Sequence, residues 1–429
     1  MSAVHKEIAE SAWSVLTSEA REEIRPHLDA LFRSSEYPDI FAGGAMPAEE
    51  KARIDPDADR FLWPDPPDEP WYKQVLKLTA RESGLGMAPL RMGSHMPEHY
   101  LRHALAELLA DETKAAVKYM GVYSHVIGDT GEPIHAVHPE IVDLVLPPPP
   151  EHLALELHGT VENLRAPVNI DGYRPRILGR TIRQAAMAAL VGLYRARDVG
   201  ASVVVPIVQA IYAGDRKRAT TLSSVAQDEC ARHFADFMQT VFWLREHGEQ
   251  TGEVELDLRD LPPAASDVDM LYRHRPAKDV SLVPYAGRSL PLGLPTADGA
   301  AEHVQGLGVL PFCGPPHAPG TPRTTRIDYF LIPQAFSTFS ARIGVNPLFP
   351  DSVGGVVFRV LTDEKEQFCS PSLTRRDKPI SVRVPLGQAR WLTLATQVEP
   401  NATYDEVKRA IEPVGWASHA VWAEPRLTN

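Results

Sequence analysis

From residue 3 to about 248, apolar side chains recur mostly at the three-to-four spacing of an amphipathic helix. In the stretch HYLRHALAELLADETKAAVKYMGVYSHVIGD, Tyr100, Leu101, Ala104, Leu105, Leu108 and Leu109 form one stripe, and Val117, Met120, Val122 and Ile127 continue it. This half predicts a helical domain. Proline and glycine gather at 38–70, 128–150 and 166–179, marking long connections of the kind that often carry function. After REHGEQTGEVELDLRDLPPAASD the period changes. Runs such as GGVVFRVLTDEKEQF, ISVRVPL, RWLTLATQV and HAVWAEPRL alternate inward and outward positions between turn residues, as strands of a sandwich do. The pattern predicts a helical domain over 1–248, a linker or edge segment over 249–280, and a β-sandwich over 281–429. A chain of 429 residues also exceeds what one ordinary core fills.

Charge narrows the partners. With 44 basic and 56 acidic residues the chain carries a formal −12, which argues against a broad surface for nucleic acid or an anionic membrane, though a local cationic site built from metal ions stays open. AAMAALVGLY and VGASVVVPIVQAIYAG fall short of the roughly 20 residues that cross a bilayer, so no transmembrane helix is expected. MSAVHKEIAESAWSVL lacks the form of a signal peptide. A cytoplasmic protein is expected if Met1 is native, and a secreted one if a leader was removed. Cys230, Cys313 and Cys369 are too few for a disulfide scaffold, although Cys313 and Cys369 could pair. Oligomeric state is left open.

The densest chemistry lies in SHVIGDTGEPIHAVH, residues 124–138. His125 and Asp129 are four apart on a periodic helix and share a face. Gly131 and Pro133 then end that helix, and His135 follows the turn. Downstream, ELHGTVENL repeats the pair as His158 and Glu162. Either pair alone reads as a hydrogen-bonded core or surface pair. Together with His135 they make a five-ligand set of imidazoles and carboxylates, a chemistry suited to zinc.

SHVIGDTGEPIHAVH followed by LHGTVENL resembles the H-x-x-x-D-x-x-x-x-x-H then H-x-x-x-[DE] pattern of the zinc-dependent phospholipases C and the related single-strand-specific nucleases. VHKEIAESAWSVLTSEAREEI and SSEYPDIFAGG resemble the segments that carry an early histidine and an aspartate in that family, so the likeness runs over about 3–245. It implies a mostly helical fold with up to three zinc ions. By that resemblance Asp129 bridges two metals, His125 and Asp39 join it on one, His5 binds the other, and His135, His158 and Glu162 hold the third. Asp39 would then orient or deprotonate the attacking water, and Asp129 would fix the metal spacing. Two departures stand out. A further family histidine is missing, because DADRFLWPDPPD offers only Asp59 and Arg60, with His95, His99 and His103 as spatial substitutes. The family's N-terminal tryptophan ligand also has no counterpart in Met1-Ser2.

The last third, from FSTFSARIGV through GGVVFRV to HAVWAEPRL, resembles the NPCBM-type carbohydrate-binding module. That likeness implies a galactose-binding-like jelly-roll sandwich and a glycan partner, while a purely structural sandwich stays open. Trp391, Trp416 and Trp422 are candidates for a sugar platform, with at least two expected in the core. No phosphate-binding loop, H-E-x-x-H or G-x-S-x-G is present. Asn401 opens a glycosylation-like triplet. The expected activity is zinc-dependent hydrolysis of a phosphoester, with phospholipid or nucleic acid as substrate. The competing expectation is a catalytically reduced glycan-binding or scaffold protein that keeps a structural zinc.

Overall fold

The structure is a computed structural model of the 429-residue chain. It describes all residues except 1–2, 43–46, 65–67, 80–93, 138–145, 149, 151–156, 267–276, 281–289, 310–323, 349–354 and 399–418. Cys313, Asn401 and Trp416 therefore lie outside the described residues. The chain divides into two compact units, Met1–Thr251 and Gly252–Asn429.

The first unit is helical. The helices that build and frame its cluster of histidines and carboxylates are α1 (Ala3–Ser14), α2 (Leu28–Ser34), α3 (Met96–Leu109), α4 (Thr113–Gly131), α5 (Pro133–Ala136), α6 (Leu157–Glu162), α7 (Ile182–Tyr212) and α8 (Arg216–His247). α4 is the axis of the unit. From Ala116 to Gly131 nearly every side chain is buried, so its apolar character wraps the whole circumference. The two longest helices flank it and begin on side-chain caps: Thr181 Oγ1 accepts from the Gln184 N–H at 3.2 Å, and Asp215 Oδ1 from the Arg218 N–H at 2.9 Å. Gly214, at φ +73°, takes the left-handed conformation that ends α7 and turns the chain into α8. The apolar run at 203–211 packs into a core cluster with Ile134, Val161 and Leu164.

Close approach to α4 depends on its glycines. A Cβ at Gly128 would stand 2.4 Å from His5 Nδ1, and one at Gly121 would stand 2.0 Å from Ser34 Oγ. Bare backbone at these points lets α1 and α2 lie directly against the helix that carries His125 and Asp129.

The second unit is a β-sandwich of two antiparallel sheets. Its strands are β1 (Glu255–Asp257), β2 (Ala265–Ser266), β3 (Ala277–Lys278), β4 (Gly293–Pro295), β5 (Ala301–His303), β6 (Gly306–Val309), β7 (Thr324–Phe330), β8 (Thr338–Val345), β9 (Val356–Thr362), β10 (Lys365–Cys369), β11 (Ile380–Pro385), β12 (Trp391–Val398) and β13 (Ala420–Thr428). One sheet runs β11-β8-β13-β6-β3 with β1 added to β13, the other runs β10-β9-β12-β7-β2, and β4 and β5 pair apart from both as a two-stranded ribbon. Trp422 of the first sheet is fully buried, with its ring edge-on to Phe358 of the second at 5.3 Å. Trp391 is buried too, so both serve the core rather than a sugar platform. Within 249–280, read from sequence as a linker or edge segment, β2 and β3 close one edge of each sheet and β1 adds to β13.

The β9–β10 hairpin turns on Asp363 and Glu364, both at positive φ (47° and 65°), with Thr362 paired to Lys365. This is the mirror-image turn that matches strand twist and favours glycine at its second place. Asp363 Oδ1 offsets the strain of its position by accepting from the Arg390 and Trp391 N–H groups at 3.1 and 3.0 Å. Glu364 makes only an exposed ion pair with Arg326, worth little. Glu364→Gly is therefore expected to stabilise the second unit by about 0.5 kcal/mol. Urea denaturation checks this, and a lowered midpoint would count against the strain argument.

Candidate metal centre

The four-residue spacing of His125 and Asp129 places both on one face of α4. His125 is 1% exposed. Its Nδ1 lies 2.9 Å from the carbonyl oxygen of Ser35. A carbonyl can only accept, so Nδ1 carries the proton, and Nε2 is directed at Asp129 Oδ2 (3.3 Å) and Asp39 Oδ1 (3.6 Å). A neutral imidazole presents a lone pair there, facing two carboxylates, which is stable only with a positive charge between them. That charge is either a proton on Nε2 or a cation. The Ser35 carbonyl plays the orienting part that an outer partner plays for a metal-bound histidine.

His5, from the first turn of α1, is also buried and lies against Gly128 with its ring centre 4.0 Å from that of His125. Its Nε2 is 3.4 Å from Asp129 Oδ1. Burial first, then the neighbouring His125, pushes its pKa down to about 3, so this imidazole is neutral. Asp129 sits between clusters: Oδ2 faces His125, while Oδ1 faces His5 and, at 3.8 Å, Nδ1 of His135. Burial opposes its ionisation, but the hydrogen bond and charge of His125, with His5 and His135, hold it at about 2.

α4 ends where Glu132 leaves helical geometry (φ −59°, ψ 125°), and Pro133 opens α5 at a position where its missing N–H costs nothing. This kink delivers His135 to α6. His135 Nε2 and His158 Nε2 each stand 3.0 Å from Glu162 Oε1 and 3.4 Å from one another. A zinc ion sits about 2.0–2.1 Å from its nitrogen and oxygen ligands, which sets neighbouring tetrahedral corners roughly 3.3 Å apart. The triangle of this site has about that edge length. The donor set and its spacing fit zinc.

Among the described residues, the His/Cys/Asp/Glu groups with metal-holding geometry are His5–His125–Asp129 and His135–His158–Glu162. The structure thus brings together His5, His125, Asp129, His135, His158 and Glu162, with Asp39 at the solvent edge, its side chain 43% exposed. It does not bring in the substitutes. Arg60 is tied to Glu107, and His95, His99 and His103 pack on Tyr72, Tyr100 and Tyr119. Three contributors escaped sequence reading: the Ser35 carbonyl, the Trp63 ring edge-on to His125 at 6.1 Å, and Glu132. Glu132 is 6% exposed, and burial pushes its carboxyl up to about 7, opposed by His135 and reinforced by Glu162 and Asp129. It stands inside the quoted motif, yet nothing in the spacing distinguished it from a surface residue at a turn.

Residues 317–428 match the family model described as the NPCBM/NEW2 domain. The second unit carries that domain. No match was found among curated proteins. Among solved structures, the chain is similar to Clostridium perfringens α-toxin isolated from avian strain SWCP, at 12% identity over 94% of this chain and 84% of that one, with a TM-score of 0.35. It is similar to the CBM51-2 and INT domains of Clostridium perfringens ZmpB in complex with GlcNAc, at 18% identity and a TM-score of 0.31. That match covers 41% of this chain and only 32% of the other, so this chain spans about a third of that relative. A third likeness is to CBM51 from Clostridium perfringens GH95 in complex with methyl-galactose, at 17% identity, 41% of this chain, 99% of that one and a TM-score of 0.29. Likenesses this weak carry no weight for function, which rests on the side chains above. No helix among the described residues is long and apolar enough to cross a membrane.

Proposed function

We propose that the helical unit is a zinc-dependent hydrolase of phosphoester bonds, phospholipase C-like or nuclease-like, and that the NPCBM/NEW2 domain attaches it to glycans. The observation that carries the first part is Asp129, whose Oδ2 faces His125 and whose Oδ1 faces His5, beside a triangle of His135, His158 and Glu162 with zinc-like edges. Zinc bound there would lower the pKa of its water to about 7 and clamp phosphoryl oxygens.

The chain's own residues supply the rest. Ser35 fixes the His125 ring so that Nε2 alone faces the centre. Asp129 sets the separation of the two groups. Asp39, within reach of His125 and open to solvent, is placed to take a proton from an incoming water and release it to bulk. Trp63 flanks His125 and limits water on that side.

A second reading, a glycan-binding scaffold with one structural zinc at His135, His158 and Glu162, is favoured by Arg60, which pairs with Glu107 and cannot ligate a metal, in the segment where the resembled family has a further histidine. Metal content separates the two. Protein purified without added zinc and assayed on bis-p-nitrophenyl phosphate is expected to hold more than one zinc per chain, and His158→Ala is expected to lose one of them. One zinc per chain with no hydrolysis would establish the scaffold instead. Zwitterionic lipid and single-stranded DNA, compared as substrates, distinguish the two substrate classes.

A further inference from the structure

We propose that Tyr37, Asp55 and Lys118 are positioning residues that hold Asp39 against His125 and so fix the solvent side of the His5, His125 and Asp129 group. The proposal rests on the reading of that group as a metal centre, and it names residues outside the group that set its geometry.

Asp39 needs such a device. Its side chain is half-exposed, and among the described residues His125 is the one ion-pairing partner of its carboxylate, with Nε2 3.6 Å from Oδ1. An exposed pair of that length holds a side chain weakly, so the place of Asp39 is set by the main chain that carries it. That main chain is the single wide turn Pro38–Ala42, and it is pinned on both sides. Ahead of it, the Ser35 carbonyl lies 2.9 Å from His125 Nδ1, and the buried Tyr37 donates its hydroxyl to Asp55 Oδ2. Behind it, Lys51 Nζ donates to the Phe41 carbonyl at 2.6 Å. The rings of Tyr37 and Phe41 meet edge-on at 5.0 Å, so the two ends of the turn also hold one another.

Asp55 joins this turn to the helix of the metal centre. It ends the helix Ala48–Ile54 in extended geometry (φ −155°, ψ 110°), and its Oδ1 accepts from the Asp57 N–H at 3.1 Å. Its Oδ2 receives both the Tyr37 hydroxyl and Lys118 Nζ. The side chains of Asp55 and Lys118 are only 8% and 13% exposed. A buried ion pair is weak evidence for stability, because desolvation offsets most of its attraction. What it does supply is a fixed direction. Lys118 precedes His125 by seven residues on α4, two turns along one face and about 10 Å apart along the axis. α4 therefore grips the chain at two points, through His125 at Ser35 and through Lys118 and Asp55 at Tyr37. The turn that bears Asp39 starts from the second grip. Two attachments to one rigid helix fix both the position and the direction of the segment, which a single attachment would leave free to pivot.

Zinc titrated against a competing indicator into the chelator-treated full chain carrying His158→Ala reads the affinity of the group around His125. Tyr37→Phe keeps the ring and removes only the hydroxyl. It is expected to weaken that zinc about tenfold, the scale on which outer partners of metal ligands act, with the circular dichroism unchanged. Asp55→Asn is expected to weaken it at least as much, and Tyr37→Phe decides alone if that variant does not fold. In the Asp39→Asn background Tyr37→Phe is expected to cost less than about twofold, because the residue acts through Asp39. The proposal is overturned if no zinc binds there, if Asp39→Asn or Tyr37→Phe leaves the affinity unchanged, or if a folded Asp55→Asn variant does. It is equally overturned if Tyr37→Phe costs the same with and without Asp39→Asn, the mark of a contact that only stabilises the fold. Turnover of bis-p-nitrophenyl phosphate by the chain with His158 intact separates this proposal from the hydrolase reading. Coupled zinc affinities without hydrolysis uphold the positioning role and remove the hydrolase, and hydrolysis without the coupling does the reverse.

Discussion

Replacing Asp129 by alanine is expected to lower phosphodiester hydrolysis by more than about a hundredfold and to release bound metal. Loss of an outer partner of a metal ligand already costs 10- to 100-fold, and Asp129 is not an outer partner. Its oxygens stand 3.4 Å from His5 and 3.3 Å from His125, so one truncation removes the carboxylate that both histidines face. It also leaves His5, His125 and His135 gathered without their shared carboxylate. Asp129→Asn keeps the shape, removes the charge, and should retain part of the metal with little of the activity. Metal content and turnover of bis-p-nitrophenyl phosphate, measured on the same preparations, check this. An alanine variant with full zinc content and near-normal turnover would remove the basis for the hydrolase reading.

Acidification below about pH 6.5 is expected to destabilise the metal-free helical unit. His5 and His233 are buried as neutral imidazoles with pKa values pushed down to about 3, and His95 and His99 are lowered to about 4, in each case chiefly by burial. The unfolded chain regains the ordinary value near 6.5, so between 6.5 and the lowered values it binds protons that the folded chain refuses. Stability therefore rises with pH across that window and is lost as pH falls through it, by up to about 1.4 kcal/mol per pH unit for each such group. His125, His135 and the buried Glu132 carboxyl run the other way, since their raised values make the folded form the better proton binder, and this softens the slope. Urea midpoints of chelator-treated protein from pH 7.5 to 4.5 measure the balance. A midpoint that holds constant or rises on acidification would contradict the burial of these rings.

The helical half and its histidine–carboxylate pairs were legible because both signals are local. A four-residue spacing puts His125 with Asp129, and His158 with Glu162, on one helix face whatever the tertiary fold, and Pro133 after Gly131 announces the kink that brings in His135. The strands of the second unit were legible for the same reason, since alternation in ISVRVP and VVFRVLT survives as alternating burial in β11 and β9. What stayed hidden depends on residues far apart in the chain. Ser35 lies 90 positions before His125 and acts through a backbone carbonyl, which any residue could supply. Arg60 is drawn to Glu107 on α3, a choice of partner that no spacing encodes. His95, His99 and His103 looked like spare ligands by composition, but their surroundings are tyrosine rings. Glu132 looked like a turn residue, and only the packing around α4 and α5 makes it a buried acid.

The arrangement around Asp129 also bears on how the chain holds itself together. His5 belongs to α1 and Asp129 to α4, while His158 and Glu162 arrive on α6. A cation held by these side chains would staple distant stretches of one polypeptide much as a disulfide does, removing freedom from the unfolded chain that, for a loop of about a hundred residues, amounts to roughly 4–5 kcal/mol. In a unit without a disulfide among its described residues, whose one cysteine, Cys230, is buried and free, metal supply would then set the lifetime of the fold as well as its chemistry.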